Sequence, residues 1–176
     1  MRHFVITLVF VLASMTASAA DSAGDAQIQR ALAAGPQWIR ADATVATLDA
    51  KGDTTVLRQG TNGFVCLPGT PGVIGDDPMC ADPQAMLWIK SLMAHAPKPA
   101  NTEPGVIYML QGGSGYSDTD PYAMTGPTVL RDPPHWMLMW PFDPKTTGLP
   151  DHRVSTGSWI MFAHTPYAHL MILQQP

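Results

Sequence analysis

The first 19 residues constrain this chain most, because they decide the compartment in which the rest must fold. Arg2 and His3 make a short basic start. Residues 4–13 are an uncharged apolar run, and Ala17-Ser18-Ala19 presents small side chains at the spacing of a cleavage site. That order is the pattern of a secretory leader. A membrane span needs about 20 apolar residues, and this run is about half as long before Ser14 and Thr16 interrupt it. No later stretch is apolar enough to span, and no cysteine follows the predicted cleavage site to carry a lipid. The sequence thus predicts a signal peptide over residues 1–19 and one folded domain over residues 20–176, periplasmic or secreted, with no membrane span after cleavage.

An oxidising compartment gives meaning to the cysteines. There are two, Cys66 and Cys80, with no C-x-x-C spacing that would suggest redox or metal use. They predict one structural disulfide that clips a Gly- and Pro-rich loop. Closing a loop of this size restricts the unfolded chain by about 3 kcal/mol.

Composition narrows the class further. Only 14% of residues are charged, against a usual value of about 25%, while 45% are hydrophobic, so the chain must bury a core. The net charge is −4, and removing Arg2 with the leader makes it one unit more negative. No basic cluster exists, which excludes nucleic-acid binding by phosphate neutralisation. Glu103 is the single glutamate; the other acids are aspartates, residues of caps and turns rather than helix surfaces.

Periodicity predicts the elements. Residues 22–34 read as a short helix stopped by Gly35-Pro36. Residues 43–48, 54–58 and 64–67 read as strands of a meander, with turns at 49–53 and at Thr61-Asn62-Gly63. Asp82-Pro83 opens a second helix as N-cap and first helical residue, and Pro97 ends it. Residues 106–110, 135–140, 159–163 and 169–173 read as further strands, and residues 111–134 as a long polar loop of the kind that carries function. Strands without β-α-β alternation predict an α+β fold: a single domain, mainly an antiparallel sheet, with two short helices and a disulfide-clipped loop.

The segments TNGFVCLPG, DPMCAD, YMLQGG, SDTDPYA and TPYAHLMI, in this order, resemble a family of small exported bacterial proteins of unknown function. The resemblance runs from about the first predicted hairpin to the end. It implies no activity, ligand or catalytic residue.

Three groups of residues could carry chemistry. An echo links His135-Trp136-Met137 to His169-Leu170-Met171. Residues two apart in a strand share a face, so His135 and Met137 face one way, as do His169 and Met171. If the two strands pair in register, each His lies beside its counterpart and the Met residues form the next rung. Thioether and imidazole together suit copper as Cu(I). The plainer alternative is core methionine with a histidine at each strand mouth. The second group lies in the long loop. Ser114, with Asp118 or Asp120 and a histidine such as His164 or His169, supplies the residue types of a hydrolase. However, Tyr116 breaks the G-x-S-x-G elbow, and hydrogen-bonded turns explain the same residues. Asp118 and Asp120 also fail the calcium-loop pattern at Pro121-Tyr122. The third group is His164 and His169 across a short turn. The expectation is a periplasmic protein that binds a small molecule or a metal ion, with copper as the metal. A Ser114 hydrolase ranks second and a structural or partner-binding role third.

Overall fold

The structure is a computed structural model that describes residues 13–174. The basic start and most of the apolar run of the predicted leader lie outside the described residues. Helix α1 (Ala13–Ala33) starts nine residues before the expected position, so the predicted cleavage site falls within its backbone. Residues 13–21 contain no Gly or Pro and four alanines, the best helix former, so nothing local stops the helix there. No described helix is long and apolar enough to cross a membrane.

After α1 and the single turn α2 (Gln37–Arg40), the chain forms β1 (Thr44–Leu48), β2 (Thr54–Arg58), β3 (Val65–Leu67) and β4 (Met79–Ala81). Helix α3 (Pro83–Met93) and β5 (Gly105–Met109) come next, then the short pair β6 (Gly113–Gly115) and β7 (Leu130–Asp132). The chain finishes with β8 (His135–Met139), the turn α4 (Pro144–Thr147), β9 (Ser158–Met161) and β10 (His169–Leu173). Eight strands build one sheet in the order β2-β1-β3-β4-β5-β8-β10-β9, and β6 and β7 form a separate ribbon. Every pairing in the large sheet is antiparallel except β1 with β3. The α+β class and the mainly antiparallel sheet are as the sequence predicts.

Two expectations change. The first three strands are not a meander, because β3 passes β1 and returns beside it in parallel. Asp42 O accepts from Thr61 N at 2.7 Å and from Asn62 N at 3.2 Å, and Asn62 Nδ2 donates to Ile39 O at 2.8 Å. These bonds pull the turn back over the start of β1. Gly60 permits the crossing, since a Cβ there would lie 2.2 Å from the backbone of Ala43 and Thr44. Likewise, residues 111–134 are not a bare loop. They contain β6 and β7, whose ladder pairs Gly113 with Asp132.

The sheet separates two cores. On one face α1 and α2 pack on Val45, Cys66 and Cys80. The Cys66–Cys80 disulfide joins directly opposed residues of β3 and β4. A Cβ on Gly35 would come within 2.8 Å of Cys80 Sγ, so the glycine at the end of α1 is also what seats that helix on the disulfide. On the other face lies α3, capped by Asp82, whose Oδ1 accepts from Ala85 N at 2.8 Å. Asp82 Oδ2 accepts from Val106 N at 2.9 Å, so a single carboxylate starts the helix and fastens it to β5. Trp88 and Ile89 point from α3 toward Ile107, Met109, Met137 and Met171.

Candidate functional site

Between α3 and the sheet lies a cavity of about 600 Å³. Eight of the eleven methionines line it, which makes its wall soft and adaptable rather than merely apolar. His135 and His169 also line it. The strands explain why. In β8 and β10 alternate residues are buried, so His135, Met137 and Met139 face the cavity together with His169 and Met171. All four residues singled out by the sequence echo therefore line one space.

Their mutual arrangement differs from the in-register expectation. Strands β8 and β10 run antiparallel, so Met137 is opposite Met171 but His135 is opposite Leu173. Leu173 lies four positions beyond His169 on β10, which puts the two histidine backbones about 14 Å apart. Metal–nitrogen bonds are about 2 Å, so one ion needs its ligand nitrogens within about 4 Å of each other. The reversal of strand direction therefore replaces the expected neighbouring pair with a histidine at each end of a methionine pair.

Each imidazole is held in the same way. His135 Nδ1 lies 2.8 Å from Pro133 O, and His169 Nδ1 lies 3.0 Å from Tyr167 O. A carbonyl only accepts, so each Nδ1 carries the proton and each neutral Nε2 keeps its lone pair. Among the described residues neither Nε2 has a hydrogen-bond partner. Both carbonyls precede their strands, and the strands run antiparallel. The rings are 1% and 2% exposed, which holds them neutral. Burial lowers the pKa of His169 to about 4 against the pull of the Tyr167 carbonyl, and His135 lowers it further. Burial lowers His135 as well, opposed by the Pro133 carbonyl, Asp132 and Asp77 and assisted by Arg153.

The end above His135 is closed by a polar loop. A Cβ on Gly113 would sit 3.3 Å from His135 Cε1 and 3.2 Å from Met109 Cε, so β6 lies directly over both. Ser114 donates through both N and Oγ to Asp77 Oδ2, each at 2.6 Å, and Gly75 N donates to Ser114 Oγ at 3.1 Å. Arg153 fastens the layer. It donates to Asp118 Oδ2 at 2.9 Å and Oδ1 at 2.7 Å, bonds Asp132, and stacks 5.3 Å over the Trp159 ring. At the far end His169 is walled by aromatics. Trp88 and Phe162 approach it edge-on at 5.2 and 5.3 Å, and Tyr167 donates its hydroxyl to Ala96 O at 2.8 Å.

The hydrolase candidates do not converge. Ser114 is bound to Asp77, Asp118 to Arg153, and Asp120 Oδ1 accepts from Tyr122 N at 2.9 Å. His164 is exposed, and its Nε2 lies 3.4 Å from Asp151 Oδ2. No histidine hydrogen-bonds Ser114 among the described residues. These side chains build turns and a latch. Among the described residues no three His, Cys, Asp or Glu residues are grouped to hold a metal ion. Sequence reasoning missed Asp77 and Arg153, which act on the site from far along the chain, and Asp132, which lies just before His135. It also missed Met109 and Met161, although alternation within their strands was a signal that could have flagged them. No protein-family model, curated protein or solved structure matches this chain.

Proposed function

We propose that this is an exported binding protein whose methionine-lined cavity takes a soft ligand, Cu(I) foremost. One observation carries the reading: two buried imidazoles, each tethered through Nδ1 to a backbone carbonyl, offer Nε2 to a space walled by thioethers. Tethering of the distal nitrogen by a carbonyl is the usual support of a metal-bound histidine. A neutral ring is the form that ligates, and burial keeps both rings neutral. Imidazole with thioether suits soft monovalent copper better than calcium or magnesium, and the carboxylates of Asp77 and Asp132 lie at the His135 end of the same cavity. The leader-like start and the Cys66–Cys80 disulfide support export to an oxidising, periplasmic or secreted location.

The test is competitive Cu(I) titration of the wild type, His169→Ala and His152→Ala. His152 is exposed and bonded to Asp151, so its variant is the control. The expected result is a loss of affinity of at least tenfold for His169→Ala alone. Equal affinities in all three proteins would sink the reading.

A second reading rests on the volume. About 600 Å³ is the size of an ordinary small-molecule site and exceeds what ions need. A neutral apolar dye such as Nile red would then bind saturably, and Met137→Trp, which fills the middle of the cavity, would abolish that binding. Dye binding indifferent to Met137→Trp would place the dye elsewhere and remove the support.

A further inference from the structure

We infer that the cavity holds two Cu(I) sites, one at each end, rather than one shared site; this rests on the soft-ligand reading above. Strand register carries the inference. His135 is the direct cross-strand partner of Met109 on β5, and His169 is the direct partner of Met161 on β9. Between them Met137 faces Met171. The sequence of donors across the sheet face is therefore imidazole with thioether, thioether with thioether, thioether with imidazole, a near-symmetric array produced by antiparallel pairing.

Directly opposed side chains have Cβ atoms about 4.5–5.5 Å apart, close enough for both to reach one ion. At the His135 end the position of a Gly113 Cβ lies 3.2 Å from Met109 Cε and 3.3 Å from His135 Cε1, so thioether and imidazole flank the same small volume. The backbones of His135 and His169, by contrast, stand about 14 Å apart along the ladder, so each histidine shares a rung with its own methionine and not with the other histidine. Cu(I) is content with few ligands when they are soft, and one imidazole with one or two thioethers supplies them. The central Met137 and Met171 lie one rung from either histidine and can complete either site. Both ions arrive and stay as Cu(I), so no electron or proton is transferred.

The experiment counts ions. Native mass spectrometry with Ag(I), a redox-inert stand-in for Cu(I), is combined with anaerobic Cu(I) titration against a chromophoric chelator. The proteins are the full mature chain and its Met109→Leu, Met161→Leu and double variants. Leucine keeps the core volume, and a thermal melt identifies any variant that fails to fold. His135→Ala and His169→Ala serve as the second pair. The wild type should bind two ions. Each single variant should lose one, or weaken one at least tenfold, while the double variant loses both. A single ion per chain, lost in either histidine variant, would overturn the two-site inference and leave the soft-metal reading standing. Two ions that survive in the Met109→Leu, Met161→Leu double variant would overturn it also. No binding of Ag(I) or Cu(I) by the wild type would remove both.

Discussion

At one end of the cavity His135 sits under a loop held by charges; at the other His169 sits in a ring of aromatic side chains. Both rings are tethered through Nδ1 to the carbonyl two residues earlier, and both face a methionine across the ladder. The ladder thus builds the same device twice, and the surroundings make the copies unequal. Above His135, Asp132, Asp77 and Arg153 bring charge close. Around His169, Trp88 and Phe162 pack edge-on with Tyr167 beyond Trp88, and burial is the largest influence on the ring. The lesson is that a short-range pattern fixes what a side chain can do, whereas the layer packed over it decides how readily it gains a proton and what can reach it.

The aromatic end should be the more costly to damage. Trp88 is 5% exposed and touches both Tyr167 and His169, so Trp88→Ala leaves a large void beneath α3. The expected loss is about 3–5 kcal/mol, measured by urea unfolding. A loss below about 1 kcal/mol would mean that this end is not packed as described.

Acid should expose the difference next. His169 titrates near 4 when folded, below the ordinary value near 6.5. Between those values the unfolded chain binds a proton that the native ring refuses, so stability is full above about 6.5 and falls as pH drops toward 4. The slope is up to about 1.4 kcal/mol per pH unit for one such group. In metal-free protein His169→Gln should flatten this slope more than His135→Gln, because Asp132 and Asp77 partly offset the burial of His135. Denaturant midpoints at pH 4.5, 5.5 and 6.5 decide it, and equal flattening by the two variants would erase the contrast.

Loosening the charged end should cost less. Arg153 is partly exposed, so solvent screens its pairs, yet its removal leaves the largely buried Asp132 without a counter-ion. Arg153→Ala should lose about 2 kcal/mol and raise amide exchange over residues 113–132, while exchange around His169 stays unchanged. Uniform exchange across both ends would show that the latch does not act locally. The smallest effect belongs to Ser114. Its Oγ joins Asp77 and Gly75, but its backbone N also bonds Asp77 and would remain. Ser114→Ala should cost about 1 kcal/mol and leave Cu(I) affinity and any esterase background unaltered. An esterase activity abolished by this change would reinstate the serine as a nucleophile.

Much of the framework is visible in short windows of sequence. Residues 169–173 read as a strand and are one, and Asp82-Pro83 caps α3 as predicted. The short β4 is hidden because three residues inside a Gly- and Pro-rich stretch show no period, and partners supply its order. The pair β6 and β7 is hidden likewise, since glycines carry no pattern and the ladder comes from residues 15 or more positions away.

By itself the sequence determined the facing of each side chain: alternation put His135 with Met137 and His169 with Met171 on one face, and the chain's two cysteines made one bridge. Only the tertiary structure decided how those faces meet. The repeated His-x-Met reads the same whichever way its two strands run. Direction is settled by the connection through α4 and β9, which returns the chain antiparallel and separates the histidines. The latch from Arg153 to Asp118 spans 35 residues, and the bond from Ser114 to Asp77 spans 37. Contacts at such separations have no local signature, because what fixes them is the folding of the whole sheet rather than the preference of any segment.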